Sequence, residues 1–226
     1  GDTSIKELGH GFDGIFSVYA GYNGSHQVYN GNSLWQNGGT VGLTGTLYKG
    51  NWFGGWTVAG GLSGVDANTM YGSEDFMLWS AGTAIKTGYN WELMEGKFII
   101  QPHYLMSYTF VDTQNYTNAA GYRISSDPLN AIQLVPGLKF IGNLKNGWQP
   151  YLGVDFVWNI MDKTKFSAAE TSLPQLSVKP YVQYGLGVQK RWGDRFTGYL
   201  QAMFRNGGRN GVIFSAGFRS SFGHGK

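Results

Sequence analysis

The sequence contains no cysteine and few charged residues. Without cysteine the chain has no disulfides, no thiolate catalysis and no cysteine-ligated metal. Charged residues make up 14% of the chain, whereas soluble domains carry about 25%. The four histidines are far apart in sequence, so no metal site is predicted, and no cofactor motif is present. A chain that is poor in charge and contains 16% aromatic residues is expected to expose part of its surface to a solvent other than water.

Long hydrophobic runs are also missing. No apolar stretch approaches the ~20 residues that a membrane-spanning helix needs, and the mean hydropathy is −0.24. The basic residues are scattered along a chain of net charge +3, so no nucleic-acid partner is predicted. A transmembrane β-barrel fits these properties, because half of each strand faces lipid and the other half faces water or packed polar groups.

A period of two in hydrophobicity gives the strongest indication of such a barrel. Between Trp148 and Ile160 the even positions are apolar, while the odd positions are mostly polar or small, as at Gln149 and Asp155. Alternation places successive side chains on opposite faces of a sheet. Similar alternation recurs along the chain and predicts ten strands, at 13–22, 38–49, 51–63, 75–90, 96–112, 129–143, 147–161, 177–192, 195–205 and 210–222.

The predicted connections alternate between short and long. Short turns lie at 49–51, 91–96, 145–147 and 193–194, and long connections at 23–37, 64–74, 113–128 and 162–176. Outer-membrane barrels place short turns in the periplasm and long loops outside, so both chain ends are expected on the periplasmic side. The predicted fold is an all-β, antiparallel up-and-down transmembrane barrel over residues 13–223, with an N-terminal segment 1–12 and a tail 224–226.

A soluble β-sandwich or a lipocalin-like barrel would also alternate. Such a fold needs charged residues on its water-facing side, and here that side holds mainly Gln, Tyr, Gly and Ser. Aromatic residues near the strand ends resemble the girdles at membrane interfaces. They are Trp52, Trp91, Trp148, Trp192, Tyr48 and Tyr89. The membrane barrel is therefore the preferred interpretation.

Polar positions of the alternation predict the lining of the lumen, which at ten or more strands is wider than in an eight-stranded barrel. The predicted lining residues are Gln101, His103, Gln133, Lys139, Asp155, Lys179, Gln183, Gln201, Arg205 and Arg219. One interpretation is a polar wall for a translocating or plugging segment, which could be residues 1–12. The other is purely structural: Asp155 pairs with Lys139, Lys179 or Arg219, because a low-dielectric interior needs paired charges.

The last strands resemble the β-domain of autotransporters, the translocator unit of type V secretion. The run from Pro180 to Gly223, PYVQYGLGVQKRWGDRFTGYLQAMFRNGGRNGVIFSAGFRSSFG, carries the resemblance. It implies a non-enzymatic barrel of twelve strands, of which ten are visible here, in the outer membrane of a Gram-negative-type bacterium. It also implies a helix or linker in the pore, a passenger segment in cis on the N-terminal side, and the barrel-assembly machinery as a partner. The family typically ends on its last aromatic residue, whereas four residues follow Phe222 here. No signal peptide precedes Gly1, so we expect a mature form or part of a longer protein.

Two other functions stay open at this stage. A free-standing barrel could act as a small channel or as a surface receptor or adhesin. An outer-membrane hydrolase could use His26 with Asp66, Glu74 or Asp75 at the outer rim. Ser107 and His103 share a strand face but would lie ~13 Å apart, and no catalytic motif surrounds either residue. The sequence therefore predicts no catalytic residue.

Overall fold

The computed structural model describes residues 2–5, 8–29, 31–160, 166–168, 171–172, 179–193, 196–208 and 210–220. Ten long strands span most of this part of the chain. They are β2 (Asp13–Tyr29), β3 (Asn32–Lys49), β4 (Trp52–Thr69), β5 (Gly72–Tyr89), β7 (Phe98–Thr113), β10 (Leu129–Gly142), β11 (Trp148–Ile160), β14 (Tyr181–Trp192), β15 (Phe196–Gly207) and β16 (Gly211–Ser220). Shorter strands are β1 (Asp2–Ile5), β6 (Trp91–Leu93), β8 (Tyr116–Thr117), β9 (Arg123–Ser126), β12 (Phe166–Ala168) and β13 (Thr171–Ser172).

The long strands form one curled antiparallel sheet in which each strand pairs with its neighbour along the chain. The hydrogen-bonded path runs from β1 at one edge to β16 at the other. This arrangement confirms the predicted all-β, up-and-down architecture and its ten long strands. Among the described residues the sheet is curled into a half-barrel with β1 and β16 as its edges, and we call its concave side the lumen face. In the described part of the chain, no helix is long and apolar enough to cross a bilayer.

Side-chain exposure follows the predicted alternation. Along β11 every even-numbered residue is exposed, while the odd-numbered residues are half-buried or buried. The exposed face is the convex outside of the sheet, and it carries Trp158 and Phe156. The other face lines the lumen and contains the small buried cluster of Val135, Val157 and Tyr181. Burial in this chain is therefore greatest on the lumen face, while the outer face exposes large apolar side chains, as a lipid-facing surface would.

One rim of the barrel carries short connections, and we call it the turn end. It includes residues 50–51, 94–97 and 143–147, with Gly50 at φ 57° closing the turn between β3 and β4. The opposite rim, the loop end, carries residues 114–128. Exposed Trp52, Trp91, Trp148 and Trp192 ring the outside of the turn end, as predicted, whereas Tyr48 lies on the lumen face opposite Asp13 and Phe53.

The predicted long connections at 23–37 and 64–74 are wrong. β2 and β3 instead continue in register to the pair Tyr29 and Asn32, and β4 and β5 continue to Thr69 and Gly72. Glycines and polar residues interrupt the apolar alternation in these segments, which concealed the strands. The predicted connection 113–128 is a loop that contains β8 and β9, which join β12 and β13 in a separate four-stranded sheet.

The N-terminal segment 1–12 is partly described. β1 pairs with β2 in antiparallel register, with Asp2 opposite Ser17 and Ile5 opposite Gly14. A tight turn follows, in which the Leu8 amide donates to the Phe12 carbonyl at 2.8 Å. Residues 2–5 are therefore an edge strand of the sheet. The predicted tail 224–226 and residues 221–223 lie outside the described residues.

Candidate functional site: the lumen of the barrel

The two walls of the lumen are built from different side chains. The N-terminal wall, β2–β5, presents mainly small residues, including Thr44, Thr57, Ala59 and Ala84. The C-terminal wall, β10, β11 and β14–β16 together with the adjoining β7, presents long polar and aromatic side chains. Most of the predicted lining residues belong to this second wall.

A side-chain contact between His103 and Asp155 crosses the C-terminal wall. The His103 Nε2 atom lies 3.0 Å from the Asp155 Oδ1 atom, and both side chains are mostly buried. His103 is on β7 and Asp155 on β11, and both face Gly137 on the intervening strand β10. A Cβ atom at position 137 would lie 2.2 Å from the Asp155 Oδ1 atom. Gly137 is therefore the residue that leaves room for this bridge.

Two lysines flank the His103–Asp155 pair along the lumen. Lys86 on β5 lies one lumen-facing position toward the loop end, and Lys139 on β10 lies one position toward the turn end. Both interact electrostatically with Asp155, and the Lys139 Nζ atom lies 3.7 Å from the centre of the Tyr151 ring. The sequence predicted Lys139, Lys179 or Arg219 as the partner of Asp155. That prediction is wrong for the direct contact, which His103 makes.

Amide side chains join the remaining lining residues in pairs. Gln101 Nε2 donates to Asn90 Oδ1 at 2.6 Å, and Gln133 Nε2 donates to Asn159 Oδ1 at 2.7 Å. Gln201 Oε1 accepts from the Tyr151 hydroxyl at 3.0 Å. These bonds satisfy groups that would be costly to bury without partners.

Arg205 on β15 and Gln183 on β14 form another part of the network. The Arg205 Nε atom donates to Gln183 Oε1 at 3.0 Å, and its guanidinium lies 5.4 Å from the centre of the Tyr181 ring. Two predicted lining residues lie toward the rims. Lys179 is exposed and precedes β14, so it lies at the loop end, and Arg219 is exposed near the turn-end finish of β16.

Sequence reasoning missed Lys86 and Tyr151 as chemically important lining residues. Lys86 lies on β5, where inward-facing Phe76 and Leu78 obscure the polar character of the lumen face. Tyr151 is amphipathic and does not stand out from the outward-facing aromatics. Alternation alone could have found both residues, because each occupies the same parity as the polar positions of its strand.

Aromatic rings cover glycines directly across the strand pairs of the lumen face. Tyr19 lies over Gly42, Phe53 over Gly88, Tyr151 over Gly187 and Tyr199 over Gly217. Each glycine leaves room for the ring, since it lacks the Cβ atom that would clash there. Such cross-strand pairs fix the register of a sheet and compensate for the poor strand propensity of glycine.

At the loop end, the loop carrying β8 packs onto the lumen face of β5. The Tyr116 ring stacks on Phe76, with centroids 4.5 Å apart and an angle of 8°. Glu74 is buried and accepts a hydrogen bond from the Ala119 amide at 3.3 Å and another from the Tyr116 side chain. Burial of the ring, and then the negative charge of Glu74, raise the pKa of the Tyr116 hydroxyl above 10.0.

Three residues of the hydrolase hypothesis, His26, Asp66 and Asp75, lie on the outer face of the sheet, away from the lumen. His26 stacks on Trp35 on the outer face, with centroids 3.7 Å apart, and Asp66 lies directly opposite Asp75. Glu74 points to the other face of the sheet. Within the described chain, no group of three or more His, Asp or Glu side chains is arranged to hold a metal ion.

Comparisons with known proteins give one family. The model of the autotransporter β-domain matches residues 4–202. The fold is similar to the transport unit of the autotransporter AIDA-I from Escherichia coli, with a TM-score of 0.77 and 17% identity over 98% of this chain and 80% of that one. No curated protein sequence is significantly similar to the chain.

Two further solved structures share the fold. The β-domain of the Bordetella autotransporter BrkA has a TM-score of 0.65 and 17% identity, covering 98% of this chain and 96% of that one. The translocator domain of NalP from Neisseria meningitidis has a TM-score of 0.66 and 13% identity, covering 98% and 79%. The family match extends through the N-terminal strands, where the sequence had shown only the pattern of a barrel. This chain belongs to the autotransporter β-domain family.

Proposed function

We propose that this chain is an outer-membrane translocator barrel that displays or secretes a passenger carried in cis. Family membership supports this function. The observation that carries it in the structure is a lumen whose two walls differ, one lined by small side chains and one by fixed polar groups. A threading segment would pass along the N-terminal wall, which offers space, and would contact the C-terminal wall, which offers hydrogen bonds and charge.

The test is surface exposure of an epitope placed on the N-terminal side of β1 in the full-length protein. We expect added protease to remove the epitope from intact cells while the barrel stays folded. An epitope that becomes accessible only after the outer membrane is permeabilised would contradict the proposal. An epitope in the turn at 94–97, which would face the periplasm, serves as the control.

The predicted lining residues remain part of the proposal. Because the chain has no native cysteine, single-cysteine variants report one position each. We expect a membrane-impermeant maleimide to label Gln183→Cys and Gln201→Cys in the membrane-embedded barrel, because both positions contact the aqueous lumen. Val154→Cys is the matched control on the outer face, where lipid excludes the reagent.

The charges near Asp155 give the lumen a local positive character. Lys86 and Lys139 flank a single aspartate, and Lys86 borders a cavity of about 320 Å³ that Thr44, Tyr48 and Phe53 also line. We infer that this part of the wall attracts anionic groups. In planar bilayers the barrel should favour anions in a salt gradient, and Lys86→Glu with Lys139→Glu should reverse that preference. An unchanged reversal potential in the double variant would count against the inference.

Location and assembly follow from the same proposal. The apolar outer band and its aromatic girdle support insertion in the outer membrane of a Gram-negative-type bacterium, with the turn end in the periplasm. The barrel-assembly machinery would be the partner for insertion. Depletion of that machinery should leave the chain unfolded and protease-sensitive in the periplasm. Folding at the normal yield under depletion would exclude this partner.

The proposed role requires no catalysis by the barrel. His103 is engaged by Asp155, and His26 by Trp35, which supports a structural use of both rings. Alanine substitution of His26 together with Asp66 and Asp75 should leave passenger display unchanged. Loss of a hydrolytic activity in that triple variant would favour the hydrolase alternative. A free-standing channel or receptor would instead leave no segment exposed upstream of β1.

A further inference from the structure

An apolar groove runs along the outer face of the last strands near the turn end. It has a volume of about 620 Å³. Its apolar lining consists of Trp148, Val188, Trp192, Leu200, Ala216 and Phe218. A second groove of about 590 Å³ shares Val188, Leu200 and Ala216 with it. The two grooves adjoin on the outer face, and the second lies farther toward the loop end.

Small residues create the depth of this groove. Ala216 lies opposite Leu200, and Gly198 lies opposite Phe218. The Trp192 ring rests on Gly198, where a Cβ atom would come within 2.9 Å of it. On the other side Phe218 stacks on Phe196, with centroids 5.5 Å apart. The walls are therefore held by ring packing, while the floor at Ala216 stays open.

Among the described residues, Lys190 is the charged side chain that lines the groove. Lys190 is on the outer face of β14 directly opposite Trp148, and its Nζ atom lies 4.9 Å from the centre of the Trp148 ring. The ammonium also donates to the Asn146 carbonyl. An ammonium has three donors, so it can bind a further acceptor. A lysine among girdle aromatics extends its charge toward the lipid headgroups.

We propose that this groove is a binding site for one glycerophospholipid of the leaflet at the turn end. One acyl chain would lie along the groove, and the phosphate would contact Lys190. The position on the lipid-facing surface determines the occupant, since only an acyl chain is present there to fill an apolar groove of this size. A phosphate also matches the compact charge of a lysine.

Native mass spectrometry of the full-length protein in detergent, titrated with phosphatidylglycerol, tests the site. We expect one retained lipid on the unaltered protein. Lys190→Ala should weaken retention about tenfold or more, as expected for loss of a charge-assisted hydrogen bond. Ala216→Leu should weaken it by filling the groove. Lys97→Ala is the matched control, since Lys97 is exposed at the same rim and outside the groove.

The outcomes separate the parts of the proposal. Phosphatidylethanolamine shares the phosphate and should show the same dependence on Lys190, whereas diacylglycerol should be retained poorly by every variant. Equal lipid retention by Ala216→Leu and the unaltered protein would overturn the site. An equal loss in Lys97→Ala and Lys190→Ala would also overturn it. Gel mobility of unheated samples verifies that each variant is folded.

Discussion

The N-terminal and C-terminal walls of this barrel belong to the same curled sheet, but they differ in strand length and in the side chains that face the lumen. Strands β2–β5 have 17 or 18 residues, whereas β11 and β14–β16 have 10 to 13. Crossing a bilayer takes ~9–11 tilted residues, so the N-terminal strands extend well beyond the membrane. Polar Asp66 and Asn68 occupy the outer face of that extension on β4.

The difference in strand length accompanies the difference in lumen chemistry. The short strands hold long polar side chains that bond to one another inside the barrel. The long strands hold small side chains in the lumen. They also carry the docked loop near the loop end, where Val65 and Ala67 are buried. One wall is therefore a fixed polar surface, and the other combines open space with support for the loop end.

The largest expected effect comes from filling the open wall. Ala59→Trp would place a large ring in the lumen on the N-terminal wall, and display of the passenger should fall to near zero because the pore is narrow. Val58→Trp is the matched control, since Val58 is 52% exposed on the outer face of the same strand. Protease accessibility of the upstream epitope measures the effect. Equal display by the two variants would show that the open wall is not the path.

The next effect comes from breaking the His103–Asp155 contact in the polar wall. Asp155→Ala should destabilise the barrel by about 3 kcal/mol, because it leaves Lys86 and Lys139 without their counter-charge and leaves the buried His103 Nε2 atom without its partner. Urea unfolding in detergent measures the loss. Adding His103→Ala to this variant should recover part of it, since one unpaired buried group is then removed. A double variant no more stable than Asp155→Ala would assign the effect to the lysines.

Docking of the β8 loop should depend on pH. The pKa of the Tyr116 hydroxyl is raised above its unfolded value of 10.0, so the neutral form is favoured in the docked loop. Its contribution to stability is full below pH 10 and is lost as the pH rises through the folded-state pKa. Limited proteolysis within 114–122 should accelerate above pH 10. Tyr116→Phe keeps the stacking on Phe76 and should abolish this pH dependence.

The smallest effect separates packing from hydrogen bonding in the polar wall. Tyr151→Phe removes the bond to Gln201 but keeps the ring over Gly187, so it should cost about 1 kcal/mol. Tyr151→Ala also uncovers Gly187 and the Lys139 ammonium, and it should cost more. Thermal unfolding of both variants gives the comparison. Equal losses would mean that the ring packing contributes little.

Prediction from sequence succeeded where one face of a strand is uniformly apolar. The sequence predicted both the positions of β11 and β14 and which of their residues face outward, because lipid selects large apolar side chains at every second position. The same selection explains why the extended parts of β2–β5 were missed, because it does not act on residues outside the apolar band. Their outer faces include Gly24, His26 and Asp66, which lie beyond the apolar band and show no such selection. The partner of Asp155 was missed because pairing depends on register.

The sequence by itself determined the strand count, the facing of the alternating residues and the membrane as solvent, because a period of two and a scarcity of charge are properties of the chain alone. Only the tertiary structure decided that His103 and Asp155 meet across Gly137, that Lys86 joins them, and that Tyr116 docks on Phe76. Those contacts join residues far apart in sequence. Strand register and the curvature of the sheet bring them together, and neither is encoded in local alternation.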